Sequence, residues 1–104
     1  MAAPYNPPKK GEDCIFYIAL SDPLVPGSFK ANPTIAAGDF QISKDGGAFA
    51  NLATLPAVTP ASGRAVKITL SSTEMDADNV FVQAVDQTSP KEWDDWALGI
   101  PTTQ

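Results

Sequence analysis

The 104-residue chain has no histidine and a single cysteine, Cys14. Without imidazole there is no Ser-His-Asp or Cys-His couple, no histidine metal ligand and no unperturbed side chain titrating near neutrality. One thiol allows neither an internal disulfide nor a thiolate zinc site, and nothing in the cysteine usage points to an oxidising compartment. Charge is scarce too: 18% of the residues are Asp, Glu, Lys or Arg, against about 25% in soluble domains generally. Seven basic residues face twelve acidic ones, for a net charge of -5. No basic cluster is dense enough to displace many phosphate counterions, so nucleic-acid binding is not expected. Long apolar runs are missing as well. The longest, Cys14 to Leu20, is far short of the roughly 20 residues that cross a bilayer, so no membrane insertion is expected. Met1-Ala2-Ala3-Pro4 opens onto no hydrophobic stretch, which leaves no signal-peptide pattern and implies a product made and used in full in the cytoplasm.

What the chain has in quantity is punctuation, with ten prolines and seven glycines. Residues 1–11, containing Tyr5, Pro7, Pro8, Lys9 and Lys10, lack periodicity and read as an extended N-terminal arm of polyproline character. Residues 12–101 read as one domain. Ile15, Phe16, Tyr17 and Ile18 are strand formers in a run apolar on both faces, the pattern of a central or doubly covered strand. Ser21-Asp22-Pro23 stops it. A long ordered loop follows, anchored by Leu24, Val25, Phe29 and Ile35, with a short edge strand expected over Ser28 to Lys30. Gly38 to Ser43 and Ala48 to Leu52 alternate around Lys44-Asp45-Gly46-Gly47, which predicts a β-hairpin with a primed or bulged turn and Phe40, Ile42, Phe49 and Leu52 on its buried face.

Arg64 to Leu70 alternates again, with Val66, Ile68 and Leu70 inward. Ser71-Ser72-Thr73-Glu74 fits a capping box and predicts one short helical turn through Met75 to Asp78. Val80 to Val85 forms a second strongly apolar strand, and Glu92 to Ile100 a last one that Pro101 ends. About five or six short strands with turn signals every 8–12 residues indicate an all-β fold, an immunoglobulin-like antiparallel β-sandwich with that one helical turn and the N-terminal arm.

Candidate chemistry is thin. Asp76-Ala77-Asp78-Asn79 has the alternating carboxylates of a calcium loop, but the sixth position lacks glycine and the twelfth is Gln87, so an EF-hand fails. A non-EF calcium site assembled with Asp94 or Asp95 is the alternative, and the plainer reading is that Glu74 and Asp76 cap a short turn. Trp93-Asp94-Asp95-Trp96 sets acids beside tryptophans, as sugar-cleaving clefts do, yet neighbouring residues on a strand point to opposite faces and cannot act across one cleft. By the same parity one of Trp93 and Trp96 faces the core and the other faces out or lies under a loop; an exposed tryptophan would serve as an interface anchor or sugar platform, while the plainer reading is that both help fill the core. Cys14, with no base to activate it, reads as a buried inert thiol. No catalytic residue, cofactor or metal site is expected.

Three segments, Tyr5 to Glu12, Ala37 to Leu52 and Glu74 to Val80, resemble small proteins encoded among the structural genes of tailed bacteriophages and prophages. The most specific piece is Ile42-Ser43-Lys44-Asp45-Gly46-Gly47-Ala48-Phe49, which is also similar to hairpins of larger phage tail and fibre proteins. The resemblance implies a non-enzymatic β-sandwich structural protein of a virion, made in the bacterial host cytoplasm and present in multiple copies, with homo-oligomers among the forms it allows. It would sit at the tail tip or fibre as a connector held by contacts with tail, fibre or capsid subunits; a capsid decoration protein on the outer head surface is the near alternative, and a host-glycan-binding module using Trp93 or Trp96 is another. The interaction residues expected on this reading are Tyr5, Pro7, Pro8, Lys9, Lys10, Trp93 and Trp96.

Overall fold

A computed structural model describes residues 8–88 and 90–103. Among these residues the secondary structure is all β, in seven strands: β1 (Cys14–Ala19), β2 (Phe40–Lys44), β3 (Ala50–Asn51), β4 (Ala57–Val58), β5 (Ala65–Leu70), β6 (Asn79–Ala84) and β7 (Trp96–Pro101). They form two antiparallel sheets, one ordered β1-β5-β4 and the other β3-β2-β6-β7. Alternation decides which side chains face inward. In β5, Val66, Ile68 and Leu70 are buried; in β6, Val80, Val82 and Ala84 are; and β2 contributes Phe40 and Ile42. These residues belong to one hydrophobic cluster, as expected of two sheets packed face to face.

The predicted hairpin is present. Asp45 (φ 50°) and Gly46 (φ 77°) are successive left-handed residues, as a primed turn requires, and the Gly47 N–H donates to the Lys44 carbonyl at 2.9 Å. Phe49 is not on its buried face, however: β3 starts only at Ala50, and Phe49 is 45% exposed against Phe81. The capping-box bonds form as a reciprocal pair, Ser71 N–H to Glu74 Oε1 at 2.8 Å and Glu74 N–H to Ser71 Oγ at 3.2 Å. They close a turn over residues 72–75, not a helix, and no helix occurs among the described residues. The Asp76 N–H goes to the Thr73 carbonyl at 3.3 Å, the Met75 carbonyl accepts the Gly11 N–H at 3.0 Å, and Met75 and Ala77 are drawn into the core. The expected strand over Ser28 to Lys30 is a single bridge, Ser21 to Phe29, while the two-residue strand β4 has no counterpart in the sequence pattern.

Two larger differences concern β1 and Trp93. The apolar run of β1 reads as a central strand, yet it is the edge of its sheet, with Ile15 54% and Tyr17 57% exposed. Periodicity reports which faces are apolar; position within a sheet depends on partners far away in sequence. Trp93 precedes β7, so strand parity does not apply to it. It is completely buried, its ring 5.8 Å from Phe40, and its indole N–H donates to the Thr34 carbonyl at 3.2 Å. Trp96 is half-buried, 6.4 Å from both Phe40 and Phe16. Replacing Trp93 with alanine is expected to cost about 3–5 kcal/mol of stability, read as a lowered midpoint in chemical denaturation, with Trp93→Phe losing less.

Candidate functional site

The acids of the last third divide by burial. Asp86 is buried, and its carboxylate accepts from the Thr88 hydroxyl, the Thr88 N–H at 2.9 Å and the Glu92 N–H at 2.7 Å. Burial pushes this carboxyl up, but hydrogen bonds from the Thr88 side chain and the amides of Thr88, Glu92 and Trp93 outweigh it and hold the group below the ordinary Asp value. Glu74 completes the capping box and also accepts the Ala53 N–H at 2.9 Å, tying the 71–77 segment to the chain after β3. Asp39 is a third buried carboxylate, accepting from the N–H groups of Ala36 and Gln87 at 2.9 and 3.1 Å. All three serve loop amides that the sheets leave unpaired.

The exposed acids do not assemble either. Asp76 and Asp78 are exposed, Lys10 pairs with Asp78 at 3.3 Å, and Lys91 pairs with Asp95 at 2.8 Å. Asp45 Oδ1 accepts the Asn79 N–H at 2.9 Å. Among the described residues no group of three or more Cys, Asp or Glu side chains is placed to hold a metal ion. Cys14 is half-buried, which raises its thiol pKa and disfavours the thiolate.

Of the expected interaction residues, Tyr5 and Pro7 lie outside the described residues. Pro8, Lys9 and Lys10 lie beside the end of β7: Lys9 bridges Thr103 in parallel, the Thr103 N–H donates to the Pro8 carbonyl at 2.8 Å, and the Lys10 N–H donates to the Thr103 carbonyl at 2.9 Å. Trp93 is no surface anchor, because its complete burial keeps any partner or sugar ring away from it. Trp96 has its ring among Phe16 and Phe40, so neither indole is presented as an open platform.

What the fold does expose is apolar surface on an ordered backbone. On the outer face of the four-stranded sheet, Phe49 and Phe81 pair at 6.1 Å beside a shallow groove of about 420 Å³ lined by Ser43, Gly46, Phe81, Gly99 and Pro101. Phe81 and Gly99 are cross-strand neighbours, and a Cβ added at Gly99 would meet nothing within 4 Å. On the other sheet Ile15 and Tyr17 stand outward from β1. At one end of the sandwich, Leu24 (87% exposed), Val25 and Phe29 sit on a loop whose backbone is closed on itself by Asp22 N–H to Ser28 carbonyl at 3.0 Å and Ser28 N–H to Val25 carbonyl at 3.1 Å. The signal for Phe81 was present in the sequence: it is the aromatic at an outward position of a strand whose inward positions, Val80 and Val82, already supply the core. Together these surfaces suit contact with another macromolecule.

Comparison with protein-family models, with curated proteins and with solved structures finds no match to the chain.

The carboxylates give two checks. Glu74→Ala leaves the amides of Ser71 and Ala53 without their acceptor and is expected to destabilise by about 1–3 kcal/mol in urea denaturation. For Asp86, whose folded pKa is depressed, the stabilisation is present above the unfolded value of about 3.9 and is lost as pH falls through the lower folded value. Asp86→Asn is therefore expected to lower the melting temperature at neutral pH, with the gap to wild type closing below about pH 4.

Proposed function

We propose that the chain is a non-enzymatic structural module of a tailed-phage virion, held at the tail tip or fibre region by protein–protein contacts. The observation that carries this reading is the amount of large apolar side chain left outside the core on ordered backbone: Ile15, Tyr17, Leu24, Val25, Phe29, Phe49 and Phe81. Isolated exposed apolar residues are ordinary, but here they are grouped on a sheet edge, a groove and a closed loop, with few charges to keep neighbours away. The resemblance to phage structural proteins in Ala37 to Leu52 falls on the β2–β3 hairpin, whose Phe49 packs on Phe81 beside the groove. Tyr5 to Glu12 resembles them too. Its described part, from Pro8 on, meets the end of β7, and on a symmetric particle each contact of such a module can be weak.

An immunoglobulin-like topology fits the strand order. The chain passes between sheets from β1 to β2, from β3 to β4 and from β5 to β6, and stays within a sheet at β2–β3, β4–β5 and β6–β7. These are the links of a Greek-key sandwich of that type, entered at its second strand.

Cryo-electron microscopy of virions with the protein labelled tests the assignment. Density at the tail tip or fibre is the expected result; label on capsid faces would make the protein a decoration subunit and end the tail assignment. A chain lacking residues 1–7 is expected to keep the wild-type melting temperature while its incorporation into particles falls at least tenfold, measured by quantitative immunoblot of purified virions; full incorporation would remove the arm from the attachment.

A further inference from the structure

Four strand edges are open among the described residues, and three are protected. β3 and β4 are two residues long. β7 carries Pro101, which has no N–H to offer, and its continuation at Thr103 is already bridged by Lys9. Short edges, proline and cover are the devices that keep sheets from pairing edge to edge. β1 is capped only beyond its end, where the Lys30 N–H donates to the Leu20 carbonyl at 2.6 Å and Ser21 bridges Phe29. Its own six residues, Cys14 to Ala19, include no charge, proline or glycine, and among the described residues no strand pairs along their far side. Its composition is that of a central strand, covered on both faces, whereas the single chain leaves it at an edge with Ile15 and Tyr17 more than half exposed.

We infer that β1 is the contact strand of a symmetric dimer, pairing antiparallel with β1 of a second copy to make one continuous sheet β4-β5-β1-β1-β5-β4. Side-chain parity restricts the register, because outward residues must oppose outward residues. Centring the two-fold axis on Phe16 sets each Ile15 opposite the Tyr17 of the second copy, giving an aromatic–β-branched pair twice, of the kind that stabilises sheets. Charge selects the direction. Parallel pairing in register would set Glu12 and Asp13 against their own copies, whereas the antiparallel register puts Asp13 opposite Ala19 and Glu12 opposite Leu20. Lys67, beside Tyr17 on β5, has no basic residue opposite it across the new seam. A second copy is the occupant because the edge asks for a strand that is itself open, uncharged and apolar outward, and β1 supplies that to itself in an isologous contact. The inference stands whether or not the module belongs to a virion.

Sedimentation velocity of the full chain, over a concentration series reaching the millimolar range, is the direct test, with concentration-dependent dimer expected. The double variant Ile15→Glu, Tyr17→Glu changes only exposed positions, sets like charges opposite each other across the seam and places opposite charge beside Lys67 within the monomer; dimerisation is expected to weaken at least tenfold, with the melting temperature of the monomer unchanged. Register is read by mild oxidation in a Cys14→Ala background: Ile15→Cys with Tyr17→Cys is expected to cross-link into dimers and either cysteine alone is not. A monomeric full chain overturns the proposal, as does a dimer indifferent to the two glutamates. Cross-linking through Tyr17→Cys alone rejects the register. A full chain that dimerises only after residues 1–7 are removed assigns the edge to the chain's own N-terminal segment and overturns it as well.

Discussion

The contact of Phe40 with Trp93 and Trp96 is the constraint on which the rest of the architecture turns. Phe40 opens β2, Trp96 opens β7, and Trp93 enters from the loop between β6 and β7; the rings lie 5.8 to 6.4 Å apart. Trp96 extends the cluster to Phe16 on the opposite sheet, so one set of aromatic rings ties both sheets and the 86–95 loop together. The single cysteine excludes the disulfide that commonly holds small sandwiches, and the burial of these large rings takes over part of that work. Trp93 can lie this deep because its one polar atom is bonded to the Thr34 carbonyl, which also pins the long loop after β1.

The buried carboxylates follow from that arrangement. A chain with ten prolines has many loops, and loop amides folded against a core need acceptors that neither a sheet nor water can supply. Asp39 stands immediately before Phe40 and Asp86 lies near Trp93, so two of these acceptors flank the aromatic cluster and hold the loops that carry it. Glu74 does the same at the other end, joining the 71–77 segment to the chain beyond β3. Acidity concentrated in the last third is thus partly internal architecture. The net charge overstates how acidic the surface is, and the outside of the molecule is more nearly neutral than its composition suggests.

Local pattern made much of this legible. The hairpin around Asp45 and Gly46, the alternation of β5 and the reciprocal Ser71–Glu74 bonds each depend on residues within a few positions of one another, so spacing alone reveals them. Phe49 and β1 depart from the local pattern, and Trp93 lies in the core but ahead of the strand expected to hold it, for a shared reason: each is settled by partners distant in sequence. Parity assigns a side chain to a face only within a strand, and Trp93 and Phe49 both lie just outside one. The pattern of β1 reports its apolar content but not its place at the edge of the sheet. The exposed contact surface was legible only at Phe81, where an outward aromatic interrupts a polar face; the groove beside it needs Gly99 brought alongside by the β6–β7 pairing.

The mismatch at β1 carries a physical implication beyond sequence reading. A strand written as central but folded as an edge is a conflict between local composition and the isolated chain, and natural sequences tend to resolve such conflicts in the state in which they function. The groove at Phe81 and Gly99 lies on the outer face of the other sheet, away from the β1 seam. A contact at β1 therefore leaves the groove open, and two such modules joined at β1 would present two grooves related by the dimer axis. Scarce surface charge leaves little repulsion to oppose either contact, and contacts that are each modest would gain affinity when several are engaged together.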